Sequence, residues 1–203
     1  MPEIEIKLTH PDPQVLLAAL HDRLIVDASA EAVQTIRMHA EYYDTADRAL
    51  FAAGCGLRFR SENDRGVVTL KTQAKPTDAT GLSVRGEFET EAANLTEALP
   101  LICSLAPDYA PLLTKLAANL TVTAAVTFTR LERHADLGDA TVAFSVDQGF
   151  FNGDPAQSFA EFEAELKSGS ETRMTEVCRT LAETYGLVPL ADSKLKRALA
   201  AKQ

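Results

Sequence analysis

Glu3-Ile4-Glu5-Ile6-Lys7-Leu8-Thr9 is the stretch that decides the fold. Charged and apolar residues alternate through it, and a period of two belongs to a strand whose two faces meet different surroundings. Glu3, Glu5 and Lys7 share one face; Ile4, Ile6 and Leu8 share the other. The same division recurs along the chain. Arg58 and Arg60 lie opposite Leu57 and Phe59, and Thr69 and Lys71 lie opposite Leu70. Arg85, Glu87 and Glu89 oppose Val84, Gly86 and Phe88. Ser145 and Asp147 follow, and Glu161, Glu163 and Glu165 stand against Phe162, Ala164 and Leu166.

The apolar faces carry Ile, Leu, Phe and Val and need cover, which neighbouring helices would supply. The charged faces then line either bulk water or the inside of a closed sheet. For any single strand a solvated face is the simpler reading, but the recurrence favours an interior. An interior with this many cations and carboxylates cannot stay dry, given the cost of unpaired buried charge. It calls for water, metal ions and a highly charged ligand. Lys and Arg suit phosphate oxygens, and clustered carboxylates suit a hard divalent cation such as Mg²⁺.

Around these strands the chain reads as follows. Asp12-Pro13 resembles an N-cap and a first-turn proline, opening a helix through about Arg23. A strand runs from Val33 to Tyr43, and a short helix from Thr45 to Ala53 is stopped by Gly54. Residues 55–62 and 67–73 form a hairpin about a turn at Asn63-Asp64-Arg65-Gly66. A strand covers Leu82 to Thr90, and two or three short helices span 95–118. Further strands are expected at 120–134, 139–147 and 158–167, with turns at Gly138-Asp139 and Gly149 to Pro155. Helices close the chain at 170–185 and 192–202. About eight mostly hairpin-connected strands predict an α+β fold: an eight-stranded antiparallel β-barrel, a tunnel with a charged interior and surrounding helices.

With 203 residues, 46% of them hydrophobic, the chain suits one domain over 1–203, its C-terminal helices of 170–202 packing on or plugging the barrel. No stretch approaches the roughly 20 apolar residues of a membrane span, and the N-terminus has no signal-peptide pattern, so cytoplasm is the expected compartment. A net charge of −9 argues against nonspecific nucleic-acid binding or an anionic membrane surface. Cys55, Cys103 and Cys178 lack metal or disulfide spacing. His10, His21, His39 and His134 have no ligand spacing and read as surface or capping residues. No phosphate loop or nucleophile triad competes.

Glu3-Ile4-Glu5-Ile6-Lys7 resembles the ExExK signature of the CYTH superfamily, the triphosphate tunnel metalloenzymes. The likeness continues through Tyr42-Tyr43-Asp44-Thr45, Leu57-Arg58-Phe59-Arg60, Thr69-Leu70-Lys71, Arg85-Gly86-Glu87-Phe88-Glu89, Arg130, Asp147-Gln148-Gly149, Glu161 to Gly169, and Ser193-Lys194-Leu195-Lys196-Arg197. It spans about residues 2–200 and is nearest to bacterial inorganic triphosphatases. One departure is Ala198, where the family motif has glycine.

That resemblance implies hydrolysis of inorganic triphosphate to phosphate and pyrophosphate with Mg²⁺, or Mn²⁺ in its place. It implies Glu3, Glu5, Asp147, Glu161 and Glu163 as metal-facing carboxylates, with Glu165 ranked lower. Lys7, Arg58, Arg60, Lys71, Arg85, Arg130, Lys194 and Arg197 would hold the phosphates, and Glu5, Lys71 and Lys194 would carry the catalytic burden. The implied partner is a small triphosphate or polyphosphate, with a fused or associated CHAD domain as a second suggestion. Organic triphosphates are the alternative, through adenylyl cyclase, thiamine triphosphatase or nucleoside triphosphatase activity. The absence of tryptophan leaves a stacking platform poorly supplied. A noncatalytic polyphosphate-binding module is a further alternative.

Overall fold

A computed structural model describes residues 2–73 and 80–202. Eight strands carry the architecture: β1 (Pro2–Thr9), β2 (Gln34–Asp44), β3 (Gly56–Glu62), β4 (Arg65–Lys71), β5 (Leu82–Glu91), β6 (Thr121–Asp136), β7 (Ala140–Phe151) and β8 (Asp154–Gly169). They pair antiparallel in the order β5-β4-β3-β2-β6-β7-β8-β1, and β1 also pairs with β5. That last pairing closes the barrel and removes both edges. A two-residue strand, β9 (Val188–Pro189), extends the pairing beside Leu8 and Thr9.

Alternation then sorts the side chains. Outward-facing Ile6, Leu8, Val142, Phe144, Val146, Phe162 and Ala164 are buried beneath α1 (Pro13–Leu20), α2 (Arg23–Val26) and α6 (Glu171–Tyr185). Outward-facing Leu57, Val68 and Leu70 are buried beneath α3 (Ala49–Ala52), α4 (Leu95–Leu105) and α5 (Ala110–Leu116). Each fully buried leucine or phenylalanine of this kind contributes about 1.5–3 kcal/mol. Only the Tyr43 end of the outer face of β2 packs under this second group, while Thr35, Arg37 and His39 are exposed.

The interior is not charged throughout. Met38, Ala40 and Tyr42 of β2 and Ala124, Val126 and Phe128 of β6 point inward and form an apolar lining. The last helix, α7 (Lys194–Ala200), seats Leu195, Ala198 and Leu199 against it. Ser193 caps α7 by accepting from Lys196 N. Ala198, which stands in place of the expected glycine, is fully buried in this seat.

Three expected boundaries are corrected. The helix after Asp12 stops at Leu20, because Asp22 accepts from Leu24 N and caps a separate turn. The hairpin turn is Asn63-Asp64 alone, since Arg65 and Gly66 already pair with Glu62 and Ser61. Gly149 lies inside β7 and the reversal falls at Asn152-Gly153, so the expected turn from Gly149 is displaced. A Cβ on Gly149 would stand 2.0 Å from the Thr127 carbonyl oxygen; glycine here permits close strand approach.

Candidate active site

The inward faces of the strands enclose a cavity of about 590 Å³. Register brings opposite charges together: Glu3 is paired across strands with Arg85, Lys7 with Glu163, and Arg130 with Asp147. Among the described residues, as many acidic as basic side chains line the space.

Glu3 accepts from Lys71 Nζ at 2.6 Å and from Arg85 Nε at 2.7 Å. Burial opposes its ionisation, but the charges of Lys71 and Arg85 outweigh that and hold its carboxyl well below the usual range. Glu5 accepts from Arg85 at 2.6 Å and from Lys7, and Lys7 reaches Glu163 at 3.8 Å. Lys71 also reaches Glu87 at 3.1 Å.

The cationic wall on β3 is less compensated. Arg58 is buried, and among the described residues its one hydrogen bond goes to Thr69 Oγ1 at 3.1 Å. Among the described residues no carboxylate makes an ion pair with it, and the Nε atoms of Arg58 and Arg60 lack partners. Arg60 pairs with Glu62 and, at 3.9 Å, with Glu89. Burial depresses the Arg60 guanidinium, and the charges of Arg58 and Arg130 add to that against the pull of Glu62 and Glu89.

A second cluster lies where α7 meets β7 and β8. Asp147, Glu161 and Glu163 each place a carboxylate oxygen within 4.8 Å of the others, an oxygen-rich set that fits a hard divalent cation. Arg130 grips Asp147 through two bonds of 2.7 and 2.8 Å and also donates to Glu163. Lys194 Nζ sits among all three, 2.7 Å from Asp147 and 3.1 Å from Glu163, with a contact to Glu161. Burial opposes charge on both partners, but the carboxylates raise Lys194, and Lys194 and Arg130 hold Glu163 far down. Glu161 is pushed up by burial and by the charges of Glu163 and Asp147, against Lys194 and Arg197.

The expected site residues therefore divide into two groups. Glu3, Glu5, Lys7, Arg58, Arg60, Lys71, Arg85, Arg130, Glu163 and Lys194 line the cavity. Asp147, Glu161 and Arg197 do not. Asp147 and Glu161 are 0% exposed behind Lys194. Arg197 pairs with Glu161, and its guanidinium lies 5.3 and 5.2 Å from the rings of Phe151 and Phe159. Asp44 of the Tyr42-to-Thr45 segment is structural: its carboxylate accepts from Leu50 N and Phe51 N at 2.8 and 2.9 Å, holding α3.

Glu62, Glu132 and His134 also line the cavity and were missed. Glu132 and His134 follow Arg130 at the same parity, so a period-two reading of β6 would have found them. His134 is exposed, as expected, and stands at the cavity wall with its Nε2 3.1 Å from Glu132. Among the described residues, no helix is long and apolar enough to cross a membrane.

The family model for the CYTH domain matches residues 1–199. No curated protein sequence matches the chain. Among solved structures, a putative adenylyl cyclase from Hippeastrum, described as having a dominant triphosphatase activity, superposes with a TM-score of 0.67. The two are 17% identical, over 99% of this chain and 97% of that one. A putative adenylate cyclase from Bacillus halodurans gives 0.57 at 17% identity, covering 97% of each chain. The Mimivirus capping enzyme triphosphatase gives 0.54 at 8% identity, over 91% of this chain and 89% of that one. At such identities the likeness shows a common fold.

Proposed function

The chain belongs to the CYTH domain family, and from that premise we propose that its tunnel hydrolyses a linear triphosphate with the help of divalent metal, inorganic triphosphate being the favoured substrate. The observation that carries this reading is the wall of Arg58, Arg60 and Arg130. Arg58 is a buried guanidinium with no ion-pair partner among the described residues, facing a tunnel large enough for a chain of phosphates. A buried cation left in that state is stabilised by an anionic ligand with several oxygens.

Phosphoryl transfer asks a protein mainly for positioning and charge neutralisation. Lys7, Arg58, Arg60, Lys71, Arg85 and Arg130 surround the space and would hold the phosphates in line. Glu3, Glu5 and Glu163 face the tunnel as carboxylates, with Asp147 and Glu161 behind them. A divalent ion such as Mg²⁺ or Mn²⁺, when held by these oxygens, would polarise phosphate oxygens and acidify a bound water. The balance of acids and bases in the lining has a further consequence. A polyanion entering alone would leave the tunnel strongly negative, so metal and triphosphate are expected to bind together.

A second reading, an organic triphosphate, rests on Phe51, which lines the cavity and is 42% exposed. One aromatic face is a smaller provision than the array of cations. The deciding assay is phosphate release from tripolyphosphate, ATP and thiamine triphosphate with Mg²⁺ and then Mn²⁺. Fastest turnover is expected on tripolyphosphate; equal or faster turnover of ATP would remove it as the favoured substrate. Binding of long polyphosphate with no turnover of any triphosphate would show a binding module instead. Glu5→Gln and Lys71→Ala are expected to lower turnover by about 100-fold or more while the protein stays folded.

A further inference from the structure

Lys194 stands where its charge competes with a metal ion. Its Nζ contacts Asp147, Glu161 and Glu163, the same three carboxylates whose oxygens converge within 4.8 Å. An ammonium and a divalent cation seek the same oxygens, and the two together in one small buried set would repel strongly. Resting on the reading of the tunnel as a metal-dependent site, we propose that Lys194 is the resident counter-ion of this acid triad. A divalent cation enters the triad only by expelling the ammonium into the tunnel, where it meets the phosphates.

Three features of the surroundings make this exchange workable. Lys194 both fills the triad and lines the cavity, so a rotation of its long side chain carries the ammonium from one to the other. The carboxylates stay fixed when it leaves, because Arg130 grips Asp147 and Glu163, and Arg197 grips Glu161. The helix itself does not hang on the lysine. Leu195, Ala198 and Leu199 seat α7 in the apolar end of the barrel, and Asn152 Nδ2 donates to the Ala198 carbonyl at 2.7 Å. Metal loading would thus release one phosphate-binding cation, and the two ligands would favour each other's binding.

The exchange is testable without measuring turnover. Mn²⁺ binding is measured by calorimetry on the wild-type protein and on Lys194→Met, which removes the charge and keeps an unbranched apolar side chain. If the ammonium-out state is a minor population, its removal as competitor should tighten Mn²⁺ binding by about tenfold or more. In parallel, the wild-type protein is treated with an amine-acetylating reagent with and without saturating Mn²⁺, and modification is read by peptide mass spectrometry. Lys194 should become several-fold more reactive with metal, while exposed Lys115 of α5 stays unchanged. Equal or weaker Mn²⁺ binding by folded Lys194→Met overturns the exchange. So does Lys194 labelling that is indifferent to Mn²⁺, and this measurement decides alone if the variant does not fold. Mn²⁺ binding by neither protein, whether alone or with tripolyphosphate present, overturns the metal-dependent reading of the tunnel itself, and the exchange with it.

Discussion

Arg58 shows at the scale of one residue how this molecule stores binding capacity. Most interior charges are matched within the wall: Glu3 by Lys71 and Arg85, Asp147 by Arg130. Arg58 is held by a single bond to Thr69, whose hydroxyl in turn donates to Glu89 at 3.1 Å. Burial opposes its charge, but the fields of Tyr42, Glu87, Glu89 and Glu3 together outweigh that and keep the guanidinium protonated. Those fields are diffuse, and removing the charge breaks one hydrogen bond and no ion pair among the described residues, so the loss of stability is modest. Arg58→Met is therefore expected to lower the melting temperature only slightly, yet to weaken triphosphate binding by about tenfold or more. Calorimetry and thermal unfolding on one sample set check both halves. A lower melting temperature with unchanged affinity would make Arg58 a structural residue. That Arg58 faces inward was legible from its alternation with Leu57 and Phe59. That it lacks an ion partner among the described residues was not, because the partner of an interior charge is chosen by the register of a neighbouring strand.

Elements set that register, and here a glycine matters more than any charge. In β7, Gly149 lies under the β6 backbone, where an added Cβ would meet the Thr127 carbonyl oxygen and, at 2.6 Å, the Phe128 Cα. Gly149→Ala is expected to destabilise by about 3 kcal/mol or more. In a chain of this size that lowers the melting temperature by about 6 °C or more, read by circular dichroism. Strain at this position would also disturb Asp147, two residues away in the same strand. The helices show the opposite dependence on context. Gly186, with φ of 66°, ends α6 as a left-handed C-cap, a stop readable from the sequence. The seat of α7 was not readable: its Leu195 and Leu199 could equally well have packed outside the barrel. They enter because β2 and the first half of β6 turn small and apolar residues inward, which only the closed sheet brings opposite the helix.

Closure of the barrel couples all these charges into one response to pH. Glu3 and Glu163 ionise far below their ordinary value of 4.5 in the folded protein, because neighbouring cations outweigh the effect of burial. A depressed carboxyl contributes stability that is fully present above 4.5 and is lost as pH falls, since the unfolded chain then takes up protons first. Glu161, raised, works in the opposite sense and offsets part of this. The melting temperature is expected to fall on acidification from about pH 5 to about pH 3, more shallowly in Glu3→Gln. An equal slope in that variant would show that Glu3 is not among the groups responsible.

The sequence by itself determined the strands, which of their faces carry charge, and the kind of ligand such faces suit, because alternation along one strand is a local property of the backbone. The tertiary structure decided how those charges are shared. It placed Asp147 and Glu161 behind Lys194, set Arg197 against aromatic rings outside the tunnel lining, left Arg58 facing the tunnel with no ion pair among the described residues, and filled one end of the barrel with α7. Those outcomes depend on residues far apart in the chain meeting across a closed sheet. No periodicity within a single segment encodes such meetings.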